Sequence, residues 1–205
     1  MTFTASDGFM LTPAGALHAF AGKTPDLSQS ALQILLTGDR SLDLATWSAI
    51  DPQAPDVLAV ALENGWVQAL QRPLRGPDAR LDDFLPHVIA SLSGERRAVL
   101  ASDGGFCLGR AGVEQDEADA LCAAAADYSD FAARQARRGW DGATGYVAFH
   151  HDPEFLLPSH AFLPFWVDGA GYWLILMGEP LLNNPALVEL FWGIKQAGTR
   201  FNLQG

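Results

Sequence analysis

The chain has 205 residues, 49% of them apolar and 18% charged, and a formal net charge of -11. This balance is typical of an ordered globular protein with a substantial hydrophobic core, in one large domain or two small ones, and argues against a disordered chain. The acidic charge disfavours DNA and RNA as partners. A nucleic-acid binder neutralises phosphates with clustered Lys and Arg, and the one basic cluster of note here is Arg134, Arg137 and Arg138.

The first ten residues and the lengths of the apolar stretches indicate the cellular compartment, and the compartment in turn predicts the state of the two cysteines. "MTFTASDGFM" has no basic region followed by an apolar core, and no stretch reaches the roughly 18 apolar residues that a membrane-spanning helix needs. We therefore expect a cytoplasmic protein with no membrane partner. In that compartment Cys107 and Cys122 are expected to be reduced, buried and free of metal.

The region before residue 71 predicts a small, mainly helical module. Capping residues followed by apolar residues at helical spacing indicate each helix. We expect three short helices that begin near Ser28 or Ser30, at Ser41 and at Asp51, and then a short strand at 66–70. Gly38 ends the first of these helices, and the pair Asn64 and Gly65 ends the third.

The segments "LLTGDRSLDLATW" and "ALENGWVQAL" resemble small winged-helix-like domains found in front of some bacterial regulatory modules. Winged helices commonly read DNA with the third helix in a major groove. From Asp51 to Gly65, however, the chain has no Lys or Arg, and Asp51, Asp56 and Glu63 would repel phosphates. We therefore expect a structural or partner-binding module.

The stretch "RPLRGPD" at 72–78 has the composition of an interdomain linker. It combines two prolines and a glycine with charged residues. The sequence therefore predicts a winged-helix-like domain over 1–75 and a second domain over 81–205.

The glycines of "ASDGGFCLGRAG", residues 101–112, could cradle a phosphate or form a turn. Their spacing matches neither GxxxxGK[ST] nor GxGxxG, no Lys follows, and apolar strand-like residues rather than a helix come next. Asp-Gly and Gly-Gly pairs suit the positive φ values of hairpin turns. We expect a hairpin, with strands at 98–101 and 106–109.

The second half reads helix, two strands, helix, three strands, helix. The first helix begins at Asp82 or Asp83, and a long Ala-rich helix covers about 114–138. Strands follow at 144–150, 161–167 and 172–177, and a final helix runs from Asn184 or Pro185 to Ala197. Small residues on nearly every side of the long helix indicate two packed surfaces, or simply the high helix propensity of Ala.

This order, with "VLASDGGFCLGRAG" before an Ala-rich helix and "YWLILMGEPLLNNPALVELF" at the end, resembles the Roadblock / dynein light chain family from Asp82 onward. The resemblance implies an α+β, profilin-like sandwich, with a five-stranded antiparallel sheet flanked by helices. It also implies a noncatalytic, homodimeric scaffold or regulator, with a small Ras-like GTPase or another signalling protein as partner, and no cofactor.

The resemblance further implies dimerisation through the long middle helix and a neighbouring edge strand. Carried onto this chain, it assigns the interface to seven residues: Ala118, Leu121, Cys122, Ala125, Ala132, Tyr146 and Ala148.

An alternative function is a small-molecule or metal-binding sensor or enzyme that uses the 150–160 loop and the aromatic residues near it. The possible metal ligands are His150, His151, Asp152 and Glu154. Adjacent strand residues point to opposite faces, so the two histidines do not easily share one ion. The aromatic group could line a pocket, or it could be core or interface: Phe162, Phe165, Trp166, Tyr172, Trp173, Phe191 and Trp192.

Overall fold

The structure, a computed structural model, describes residues 8–140, 145–150 and 157–202, with side chains up to residue 198. Its elements are β1 (Gly8–Leu11), α1 (Pro13–Ala19), α2 (Leu27–Ile34), β2 (Leu42–Asp43), α3 (Leu44–Ile50), α4 (Ala54–Glu63), β3 (Val67–Leu70), α5 (Leu81–Ala90), β4 (Ala98–Ser102), β5 (Cys107–Ala111), α6 (Gln115–Ala136), β6 (Val147–Phe149), β7 (His160–Val167), β8 (Ala170–Met177) and α7 (Pro185–Asn202). The helix and strand order expected for the second half is confirmed. None of the helices in the described ranges is long and apolar enough to cross a membrane.

The chain divides into two compact units. Unit 1 comprises Met1–Leu81 and Asn183–Gly205, and unit 2 comprises Asp82–Leu182. The division near residue 81 lies close to the predicted boundary, but the predicted domain 81–205 is wrong at its C-terminal end. The reason is that α7 packs on α1 and its flanking residues. The rings of Phe191 and Phe20 lie 5.1 Å apart.

Unit 1 contains a three-stranded antiparallel sheet in the order β2-β1-β3, so the strand nearest the N-terminus is central. Neither β1 nor α1 was predicted from the sequence. The sequence does contain a helix-start signal for α1, namely Thr12 followed by Pro13. In the structure the Thr12 side chain accepts a hydrogen bond from the Gly15 N–H, and Pro13 is the first residue of the helix. Gly15 itself allows close packing, since an added Cβ would lie 1.9 Å from the Trp66 carbonyl oxygen.

The caps of α2 and α3 are aspartates instead of the predicted serines. Asp26 forms a reciprocal capping box with Gln29. Asp43 accepts the Thr46 N–H at 2.7 Å. Ser41, expected to cap α3, instead accepts a hydrogen bond from the Leu74 N–H, which ties residue 74 to the start of β2.

Unit 2 contains a five-stranded antiparallel sheet in the order β5-β4-β8-β7-β6. The expected α+β class and five-stranded antiparallel sheet are therefore confirmed. The predicted hairpin is also present: the Gly105 N–H donates to the Ser102 carbonyl at 3.0 Å, and Gly105 has φ +83. A second tight turn joins β7 to β8, where Asp168 and Gly169 both have positive φ.

Helices cover both faces of this sheet. The inner face of α6 packs on Ala101 and its neighbours. A register shift between Leu100 and Ala101 pairs Leu100 with Gly109 and Ala101 with Cys107, so Cys107 and Gly109 lie on opposite faces. A Cβ at Gly109 would lie 3.1 Å from Leu85, so α5 covers the face opposite α6.

Candidate functional site

The inner face of α6 belongs to the core of unit 2. Ala118, Cys122 and Ala125 are fully buried in a cluster whose other members come from the sheet and from the residue before α6: Val99, Ala101, Val113, Phe162, Trp173, Ile175 and Met177. Their spacing of four and three residues places them on one helical face. These three residues are therefore unavailable to a partner, and their assignment to the dimer interface is wrong.

Two other predicted interface residues of α6 also point inward. Ala132 is buried, and Leu121 is half-buried against the same core cluster. Most of these predicted interface residues are small, and small residues let α6 approach its own sheet closely.

The outer face of α6 is exposed and unevenly charged. Its residues are Asp116, Asp119, Ala120, Ala123, Asp127, Asp130, Phe131 and Arg134. The carboxylates lie toward the start of the helix and along its middle, whereas Arg134, Arg137 and Arg138 cluster at its end. Within the described ranges, none of these three arginines is paired with a carboxylate. The helix therefore has an acidic first part and a basic end.

Four partly exposed aromatic residues lie at the end of α6 and around β6. The exposed fractions are 40% for Phe131, 54% for Trp140 and 45% for both Tyr146 and Phe149. The rings of Phe131 and Trp140 meet edge to face, with centroids 6.2 Å apart. Such exposed apolar surface is typical of a protein-interaction site.

Tyr128 joins this region to the core. Its ring lies 5.1 Å from Phe162, 6.0 Å from Trp173 and 6.2 Å from Phe149. The Trp173 indole N–H donates to the Ser129 Oγ at 2.8 Å, which fixes α6 against β8. Among the four exposed aromatic residues, Phe149 is therefore in contact with the packed core through Tyr128.

Strand β6 is an edge of the five-stranded sheet. It pairs with β7 on one side, through Val147 with Phe162 and Phe149 with His160. The predicted interface residues Tyr146 and Ala148 lie at this edge, Tyr146 exposed and Ala148 half-buried. Burial raises the pKa of Tyr146 above its ordinary value of 10.0. For these two residues the interface assignment stays a prediction.

The residues considered for metal or ligand binding do not converge in the described part of the chain. His150 is exposed, and His151, Asp152 and Glu154 lie outside the described residues. The described ranges contain no group of three or more His, Cys, Asp or Glu side chains that could hold a metal ion. Five of the seven aromatic candidates are buried: Phe162, Phe165, Trp173, Phe191 and Trp192.

The outer face of α6 and the edge of β6 thus combine charges of both signs, exposed rings and a strand edge that pairs with no further strand in the described ranges, which together suit contact with another protein. No protein-family model, curated protein or solved structure matches this chain.

Proposed function

We propose that this protein is a noncatalytic, homodimeric scaffold or regulator, and that its dimer presents a surface to a signalling partner such as a small Ras-like GTPase. The main support for the dimer is the distribution of charge along the outer face of α6, with Asp116 and Asp119 near its start and arginines at its end. In an antiparallel arrangement, the arginines that end one helix lie beside the carboxylates that begin the other.

The geometry of the helix supports this arrangement. Asp116 and Asp119 lie on the same exposed face as Arg134. Ala120 and Ala123 follow these two carboxylates on that face, and Asp127 and Asp130 lie between the alanines and Arg134. Small residues let two helices approach closely, and the opposite charges favour antiparallel over parallel packing. A parallel pair would instead place arginines beside arginines.

The edge of β6 and the exposed rings also support association with a second copy of this chain. A second β6 alongside the first would continue the sheet and satisfy the open edge. The partly exposed rings of Tyr146 and Phe149 would lose contact with water there, which favours association by about 25 cal/mol for each Å² of apolar surface buried.

The partner class rests on the family resemblance. An α+β unit with a five-stranded antiparallel sheet and a helix on each face agrees with what the Roadblock resemblance implies. Members of that family are mostly noncatalytic and act with small Ras-like GTPases. The proposed regulator therefore works by contact and not by turnover.

Sedimentation equilibrium of the full chain tests the dimer. We expect a wild-type dimer and, for Arg134→Glu with Arg138→Glu, a dissociation constant at least about 10-fold higher, because like charges then meet across the interface. Arg72→Glu with Arg80→Glu makes the same charge change at exposed positions of unit 1 and serves as the matched control. A monomeric wild type, or equal weakening by both variants, would overturn the proposed dimer.

The partner is tested by affinity capture from a lysate of the source organism in the presence of GTP. We expect a small GTPase to be enriched with the wild-type chain and identified by mass spectrometry. Direct binding of that purified GTPase, loaded with GTP or GDP, then checks the contact. Recovery of no GTPase would reject the partner class and leave the dimer to be judged by sedimentation.

A further inference from the structure

The two cysteines meet between β5 and α6. Cys122 is fully buried on the inner face of α6, and Cys107, at the start of β5, is half-buried and packs against the same core cluster. Cys107 pairs with Ala101, another member of that cluster, so its side chain lies on the sheet face that α6 covers, and both thiols are free. The two cysteines are fifteen positions apart in the sequence and lie in the same packed layer, one on β5 and one on α6.

The hairpin before β5 holds this pair in place. A Cβ at Gly105 would lie 3.2 Å from the Cys122 carbonyl oxygen and 3.1 Å from the Ala126 Cβ. The turn therefore rests directly on the backbone of α6 at Cys122. Cys107 follows this turn by two residues, so its distance from Cys122 is set by local packing.

We propose that Cys107 and Cys122 are a redox-sensitive pair that forms a reversible intramolecular disulfide under oxidising conditions, with Cys107 as the residue that meets the oxidant. The different exposure of the two thiols assigns these roles. A small hydroperoxide can reach the half-buried Cys107, whereas Cys122 is covered. This proposal does not depend on the proposed function.

The chemistry proceeds in two steps. The Cys107 thiolate attacks one oxygen of the hydroperoxide, the O–O bond breaks, and a Cys107 sulfenic acid forms as hydroxide or alkoxide leaves. The leaving group takes up the proton that the Cys107 thiol had released, which gives water or an alcohol. The Cys122 sulfur then attacks the Cys107 sulfur, the S–O bond breaks, and hydroxide leaves and takes up the proton of the Cys122 thiol to form water. Two thiols lose two electrons in total, and the hydroperoxide gains them.

The environment of Cys122 fits its role as the second thiol. Burial, with further contributions from Cys107 and Asp119, raises the pKa of Cys122 to about 12. The thiol therefore stays protonated and is a poor first nucleophile for an external oxidant. Cys122 therefore reacts only after Cys107, its neighbour in the core, has been oxidised to a sulfenic acid.

The disulfide would tie an edge strand to the central helix of unit 2. A loop of this length constrains the unfolded chain, and we expect the oxidised protein to melt about 5–10 °C higher than the reduced protein. Cys107 lies on β5, and Cys122 lies on the inner face of α6. We therefore expect oxidation to leave the outer face of α6 unchanged.

The test treats the full chain with one equivalent of hydrogen peroxide, blocks free thiols with iodoacetamide and maps peptides without reduction. We expect a Cys107–Cys122 linked peptide that dithiothreitol removes, together with the higher melting temperature. Cys122→Ala should give no linked peptide and should accumulate oxidised Cys107, and Cys107→Ala should leave Cys122 as an unmodified thiol.

The wild-type protein alone can overturn the proposal, so the result does not depend on either variant folding. Oxidised Cys107 beside a free Cys122 thiol, or a disulfide between two chains, would contradict it. So would a linked peptide that forms only in denaturant.

Discussion

Three short helices of unit 1 and the long helix of unit 2 are stabilised in different ways. Helices α1, α2 and α3 have seven or eight residues, and each begins with a side-chain cap from Thr12, Asp26 or Asp43. Helix α6 has 22 residues, and Glu114 at its start makes no side-chain cap hydrogen bond. Short helices are marginal without caps, whereas a long helix with one buried face is held by packing. The two units therefore respond to different substitutions.

The largest expected effect comes from placing a charge on the inner face of α6. Ala125→Glu would bury an unpaired carboxylate and crowd a filled core, which should lower the free energy of unfolding by about 4 kcal/mol. Ala133→Glu, at an exposed position of the same helix that is not part of the proposed contact face, should change it by less than about 0.5 kcal/mol. Urea unfolding of the two variants measures this difference. Equal losses would show that α6 is not held by its inner face.

Packing also matters at one position in unit 1. Gly15→Ala would place a methyl group against the Trp66 carbonyl oxygen, and we expect a loss of about 2–3 kcal/mol. Gly22 has open space around it, so Gly22→Ala is the matched control and should be nearly neutral. Thermal unfolding compares the two. A tolerated Gly15→Ala would mean that α1 does not press on Trp66.

The cap of α3 should contribute less. Asp43→Ala removes the acceptor for the Thr46 N–H and should cost about 1 kcal/mol at neutral pH. Hydrogen bonds from Thr46 lower the pKa of Asp43 below its ordinary value of 3.8. The contribution is therefore present above that value and is lost as the pH falls through the lower, folded pKa.

Unfolding measured as a function of pH checks this sign. Asp43→Asn keeps an acceptor that does not titrate, so wild type should lose stability relative to Asp43→Asn only in acid. A loss toward alkaline pH would contradict the cap.

The smallest effect is expected at the surface ion pair of α6. One guanidinium nitrogen of Arg97 donates to both Glu117 carboxylate oxygens, at 2.7 and 2.9 Å. Both side chains are substantially exposed to solvent, so a double-mutant cycle with Arg97→Met and Glu117→Gln should give a coupling energy below about 1 kcal/mol. A coupling of several kcal/mol would mean that this pair, more than core packing, anchors the start of α6.

The sequence predicted the elements of unit 2 well because their signals are local. The β4–β5 turn has Asp-Gly and Gly-Gly, and α6 has acidic residues in its first turn and Arg134 in its last. The first strand of unit 1 was missed because β1 has four buried residues with no alternation, and its partners β2 and β3 are distant in sequence.

The interface residues could be placed on α6 but not on the correct face. The resemblance implies dimerisation through the long middle helix, but Ala118, Cys122 and Ala125 lie on the face of α6 that packs on its own sheet. In an Ala-rich helix, small residues on several faces leave the inward one ambiguous. The discriminating signal was the exposed charge: Asp116, Asp127 and Arg134 mark the outer face.

The central claim is that two copies of α6 pack antiparallel through this charged face. The most direct test mixes two variants of the full chain, Asp116→Arg with Asp119→Arg and Arg134→Glu with Arg138→Glu, and follows their mass by light scattering. Each variant alone should be mainly monomeric, because each brings like charges together. Their mixture should form a one-to-one heterodimer, since the reversed charges are again complementary. A mixture that stays monomeric, or variants that dimerise as strongly alone as the wild type does, would contradict the account.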